Sequence, residues 1–119
     1  MNVGIIGAGF VGAKRAALLD DDDNLAMICD TNVSVAKELS QKYRSKSTDD
    51  YRHVAHDTDI EIVVISVINK FAAPIAIEML KSGKHVLCEK PLGKNFEESD
   101  QILSVAKQSG KILKTGFNH

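Results

Sequence analysis

At 119 residues the chain is one domain long, and its 44% apolar and 26% charged residues suit a globular fold that needs no disulfide or metal staple. Fifteen Lys and Arg against sixteen Asp and Glu leave a net charge of −1, so no overall field favours nucleic acid or an anionic membrane surface. No apolar run approaches the roughly 20 residues of a membrane span. The start, Met1-Asn2-Val3-Gly4-Ile5-Ile6, lacks the basic region of a signal peptide, and Cys29 and Cys88 sit in separate apolar runs without CxxC spacing. Buried free thiols in a reducing cytoplasm, with no metal site, are the expectation.

Val3–Ile6 is a short apolar run that meets a glycine cluster, which predicts a buried strand stopped by a tight turn. From Phe10 to Leu19 the period becomes helical, with Gly12, Ala16 and Leu19 on one face. The run Asp20–Asp23 opposes a helix C-terminus and belongs in a solvated turn; it lacks the glycine and distant Glu of a calcium loop. Leu25–Cys29 is a second strand ending at Asp30, and Thr31 or Asn32 can cap a helix whose buried face carries Ala36, Leu39, Ser40 and Tyr43. Polar residues 44–59 give weaker signals: a short strand near Lys46, a helical turn over Tyr51–Ala55, and His53 and His56 without a third metal ligand.

Ile60–Val67 is the strongest strand signal, and its β-branched centre suits a strand covered on both faces. Ala72, Ile75, Ala76 and Met79 stripe the next helix, with Pro74 near its first turn and Gly83 as its stop. Val86–Cys88 is a further strand, and Asn95 with Glu98 resembles a capping box for a helix that carries Ile102 and Ala106 and ends at Gly110. Ile112–Thr115 is the last strand. Strand–helix alternation throughout predicts a doubly wound α/β domain over 1–119: a mostly parallel sheet between two helical layers.

Gly7-Ala8-Gly9-Phe10-Val11-Gly12 matches G-x-G-x-x-G between the first strand and first helix, where a dinucleotide requires it. Gly7 allows the turn, Gly9 lets a pyrophosphate approach the backbone, and Gly12 lets helix pack on strand. The N–H groups at the helix start face the phosphates. Asp30 lies eighteen residues after Gly12 and ends the second strand, where a carboxylate accepts the adenosine ribose hydroxyls. A 2′-phosphate would be repelled there and no arginine follows immediately, so NAD is favoured over NADP.

With Glu89-Lys90-Pro91 reached, the chain resembles the N-terminal, Rossmann-fold half of the Gfo/Idh/MocA oxidoreductases. The likeness runs from the glycine turn and Asp30, through the segment around Asn69, to Gly83-Lys84-His85-Val86-Leu87-Cys88-Glu89-Lys90-Pro91 and Gly116-Phe117-Asn118-His119. It implies NAD-dependent hydride transfer between nicotinamide and a sugar, polyol or nucleotide-sugar, in an enzyme that is homo-oligomeric when full length. It implies a cofactor site of Gly7, Ala8, Gly9, Phe10, Val11, Gly12, Asp30, Thr31, Val67, Asn69, Glu89, Lys90 and Asn118, with Lys90 as the catalytic residue and no metal. The chain departs from the family at Val67-Ile68-Asn69, where Thr-Pro-Asn with a His three residues on is usual; Ala72 stands in place of that His. The family's second domain, which carries substrate contacts, is not expected within these residues, so the chain alone should be inactive.

Lys90 at a strand's carboxyl end can orient a hydroxyl or, if desolvated, take its proton. His85 reads as structural, and His119 is either a neighbour of the nicotinamide or a frayed terminal residue. Two other readings share part of the pattern. A non-enzymatic NAD-binding regulatory module needs the glycine turn and Asp30 but not Lys90, and an S-adenosylmethionine methyltransferase shares only the acidic residue after the second strand.

Overall fold

The computed structural model describes residues 1–7, 24–67, 69–88 and 96–115. The expected helix over Phe10–Leu19, the acidic turn at 20–23, Asn95 of the capping box and the segment 116–119 lie outside them. The described strands are β1 (Asn2–Ile6), β2 (Asn24–Cys29), β3 (Lys46–Thr48), β4 (Ile62–Ile65), β5 (His85–Cys88) and β6 (Leu113–Thr115). The helices are α1 (Val33–Tyr43), α2 (Tyr51–His56), α3 (Asn69–Lys81) and α4 (Phe96–Ser109).

The strands form one sheet in the order β3-β2-β1-β4-β5-β6, and every neighbouring pair is parallel. The chain builds outward from β1 to β3, then returns to the other side of β1 for β4. The order therefore reverses between β1 and β4, whose ends meet at the Ile6–Ile65 pair. A crevice opens outside the carboxyl ends of strands at such a reversal.

Side chains that alternate along each strand feed two cores. One face buries Ile6, Met27, Cys29, Val63 and Ile65 against Val54 of α2, Met79 and Leu80 of α3 and Ile102 of α4. The other buries Val3, Ile5, Ile28 and Val64 against Ala36 and Leu39 of α1. Each fully buried Ile or Leu contributes about 1.5–3 kcal/mol, and both faces being covered explains the continuous apolar strands. Strict alternation breaks in β2, where Leu25 and Ile28 share a face. The register steps from Val3–Leu25 to Gly4–Met27, and the additional residue on β2 resets which side faces which core.

Helix ends follow their residues. Asn32, one of the two expected caps, accepts at Oδ1 from the N–H groups of Ser34 and Val35. After α3, the N–H of Gly83 reaches the carbonyl of Leu80 and that of Lys84 reaches Met79, a Schellman arrangement with Gly83 at φ +84°. α3 opens earlier than the stripe suggested, at Asn69, so Pro74 lies within the helix and not at its first turn. There it cannot donate to the carbonyl four residues back. β4 is shorter than Ile60–Val67, because Ile60 turns in from a loop whose N–H bonds the carbonyl of Asp57. Among the described residues no helix is long and apolar enough to cross a membrane, and no group of His, Cys, Asp and Glu could hold a metal.

Candidate dinucleotide cleft

At the end of β1 the backbone turns at Gly7, with φ +96° and its N–H on the carbonyl of Cys29 at 2.7 Å. A Cβ here would stand 2.9 Å from the carbonyl carbon and oxygen of Ser66. Both the left-handed conformation and this backbone approach require glycine. The parallel ladder continues past the strands, from Ser66 N–H to Ile6 carbonyl (2.8 Å) and from Asp30 N–H to Thr48 carbonyl (3.1 Å). Those bonds set the ends of β1, β2 and β4 side by side as one rim.

A cleft of about 530 Å³ opens on that rim. Gly7, Cys29, Asp30 and Thr31 form one wall; Asp49 and Tyr51 enter from the β3–α2 turn; Ser66, Val67, Pro74 and Ile75 close the far side. The volume lies in the range of small-molecule and cofactor sites, about 300–1,000 Å³. Asp30 is partly buried, and its Oδ1 accepts from the N–H of Asn32 at 2.8 Å. That Asx turn fixes the carboxylate at the cleft's edge. Ser66 Oγ is buried without a hydrogen-bond partner among the described residues. Cys29 is a buried free thiol, as expected, and burial, then the Asp30, Asp50 and Asp49 charges, push it up to about 12. It stays a neutral thiol and cannot serve as a nucleophile at ordinary pH.

Of the expected site residues, Gly7, Asp30, Thr31 and Val67 line this single cleft. Asn69 opens α3 two residues after Val67, and only its backbone is described. Ala8, Gly9, Phe10, Val11, Gly12, Glu89, Lys90 and Asn118 lie outside the described residues. Asp49, Tyr51, Ser66, Pro74 and Ile75 were not anticipated. Ser66 carried a readable signal as the first polar residue after the apolar run of β4, whereas Asp49 and Tyr51 reach the cleft only through the pairing of β3 with β2.

The residues fit a dinucleotide. A turn without Cβ, a fixed carboxylate at the end of β2 and an orphaned hydroxyl meet where the strand order reverses. His85, by contrast, opens β5 at the opposite end, and its Nδ1 accepts from the N–H of Ile112 at 3.0 Å, a structural role as expected. His53 Nδ1 pairs with the Thr48 hydroxyl.

Comparison with known proteins agrees with this geometry. Residues 1–117 match the model of the Gfo/Idh/MocA oxidoreductase family, NAD-binding Rossmann fold. Levoglucosan dehydrogenase of Pseudarthrobacter phenanthrenivorans is 31% identical over 130 residues, covering 100% of this chain and 33% of that protein. Inositol 2-dehydrogenase of Salmonella typhimurium is 28% identical over 123 residues, covering 98% of this chain and 37% of its own. The structure of GenD2 from gentamicin A biosynthesis, in complex with NAD, superposes with a TM-score of 0.95 at 26% identity, over 98% of this chain and 34% of that one. The chain thus spans about a third of the length of the curated relatives it matches.

Proposed function

The chain belongs to the Gfo/Idh/MocA oxidoreductases as their NAD-binding Rossmann domain, and on that footing we propose that it serves an NAD-dependent enzyme acting on a hydroxyl or carbonyl of a sugar, polyol or nucleotide-sugar. One observation carries the cofactor part: the Asp30 carboxylate borders the same cleft as Gly7 and Ser66, at the reversal of strand order. Asp30 and Thr31 receive the adenosine ribose hydroxyls, and the Gly7 to Gly12 turn takes the pyrophosphate on backbone N–H groups. Val67 and Asn69 border the nicotinamide half. When bound, the nicotinamide supplies or accepts the hydride.

Lys90, with Glu89 before it, is assigned by family resemblance to the reacting centre, where its ammonium orients the substrate hydroxyl. Asn118 is assigned to the cofactor site by the same resemblance. Substrate contacts and assembly are proposed to depend on parts of the enzyme beyond the third that this chain matches. NADH and S-adenosylmethionine titrated in parallel into the chain test the cofactor reading. NADH alone is expected to bind, and binding of S-adenosylmethionine alone would overturn it. In the whole enzyme, Lys90→Met should lower kcat far more than it weakens NAD binding; an unchanged kcat would remove Lys90 from the chemistry.

A further inference from the structure

Beyond Asp30 the cleft continues into a second hollow of about 520 Å³. Thr31, Asp49 and Tyr51 line both, and the second adds Asp50 and Arg52. Arg52 is the one cation lining either hollow among the described residues. Its side chain is 65% exposed, yet it is held. Nε donates to both carboxylate oxygens of Asp50 at 3.0 and 3.2 Å, and Nη2 donates to Oδ2 at 2.9 Å. These bonds draw the Asp50 carboxyl down to about 2, so it is ionised at any working pH. The nearby start of α1 offers an anion little, because Asn32 Oδ1 already takes the Ser34 and Val35 N–H groups. The Asn32 N–H is taken by Asp30.

We propose that the Asp50–Arg52 pair is a selectivity element for the adenosine end of the cofactor: Arg52 is the group that would take a 2′-phosphate, and Asp50 withholds it. This rests on the dinucleotide reading of the cleft. A ribose seated on Asp30 and Thr31 would lie beside the hollow that Thr31 and Arg52 share. A guanidinium forks onto a phosphate as readily as onto a carboxylate. Exposed ion pairs contribute little to stability, so exchanging one partner for the other is cheap. With Asp50 in place, the cleft and the adjoining hollow together present Asp30, Asp49 and Asp50 against one cation. That balance favours the uncharged 2′-hydroxyl of NAD.

Calorimetric titration of NAD and NADP into the chain tests this, with circular dichroism confirming that each variant folds. Asp50→Asn keeps a good helix cap on α2 while removing the charge. It is expected to strengthen NADP binding about five- to tenfold and leave NAD within roughly twofold. Added to Asp50→Asn, Arg52→Ala should cancel that gain with NAD unchanged, and Arg52→Lys in the same protein should keep part of it. Where wild-type NADP binding is too weak to read, the same variants are compared in an Asp30→Ser background. Equal effects on both nucleotides, or none from Arg52→Ala in either background, overturn the assignment while leaving the dinucleotide reading intact. If the chain binds neither nucleotide, both readings fall together.

Discussion

The two ends of the sheet are built to different ends. At the amino end, polar groups are tied to one another. Lys84 is 3% exposed, and its Nζ donates to the carbonyls of Asp57 (2.8 Å) and Ile60 (3.0 Å), clamping the loop before β4 onto the start of β5. Asn2 accepts from Asn24 Nδ2 and donates through its own Nδ2 to the Asp59 carbonyl. At the carboxyl end, groups are brought together around the cleft: a left-handed glycine, an Asx-held carboxylate and a buried hydroxyl without a partner among the described residues. One end contributes stability and the other holds binding capacity. The separation is incomplete, since Ser45 Oγ, just before β3, is also buried without a partner among the described residues.

The sharpest way to break the cleft end is Gly7→Ala. It sets a Cβ 2.9 Å from the Ser66 carbonyl at φ +96°, and should cost about 3 kcal/mol in urea unfolding. Nucleotide binding should be lost in whatever folds. Full stability and affinity would mean that the turn relaxes freely. At the amino end, Lys84→Met should cost about 2 kcal/mol, because the Ile60 carbonyl loses its buried donor and the Asp57 carbonyl keeps only the Ile60 N–H. Nucleotide affinity should stay within about twofold of wild type in this variant, given the separation of the two ends. A large loss of affinity would show that the ends are coupled.

Asp30→Ser should weaken NAD about tenfold and leave the unfolding midpoint nearly unchanged. The same change should narrow the gap to NADP by removing a like charge. If unmutated protein binds NADP as tightly as NAD, the ribose role of Asp30 is wrong.

Alkali should move the two ends in opposite directions. Folded Cys29 keeps its proton to about 12 while the unfolded thiol releases it near 9.0. Above pH 9.0 the unfolded chain binds fewer protons, and this group's contribution is lost as pH rises. Burial, only partly offset by Asp57 and reinforced by Lys111, lowers the Lys84 pKa below 10.5. The unfolded chain then holds the extra proton, so stability from this group rises as pH climbs through the folded value toward 10.5. Denaturant midpoints followed across alkaline pH should lose the falling component in Cys29→Ala and the rising component in Lys84→Met. Identical pH profiles for wild type and both variants would contradict the two assignments.

The smallest effect is expected at the C-cap of α1, just before β3. Arg44 holds φ +55° without being glycine. Arg44→Gly should relieve that strain and stabilise by about 0.5 kcal/mol, less than the full αL cost because glycine also loosens the unfolded chain. Thermal melts resolve it, and a destabilised variant would mean that the arginine side chain contributes more than its backbone costs.

Much of this was determined by the order of residues alone. Apolar runs bounded by turn residues placed five of the six described strands to within two residues, whereas β3, the polar Lys46–Thr48, gave only a weak signal near Lys46. Alternation with helical stripes required parallel pairing, because each crossover returns the chain in the same direction. Gly7 and Asp30 were legible because their spacing is local to one strand–turn–helix unit. Tertiary structure alone decided what depends on neighbours distant in sequence. The bulge that resets the faces of β2 answers to its pairing with β1. Asp49, Tyr51 and Arg52 border the cofactor hollows only because β3 pairs beside β2, and no pattern within residues 44–59 carries that adjacency. Lys84, a cation next to the turn glycine Gly83, is buried because two carbonyls on a loop more than twenty residues away converge on its ammonium and replace water.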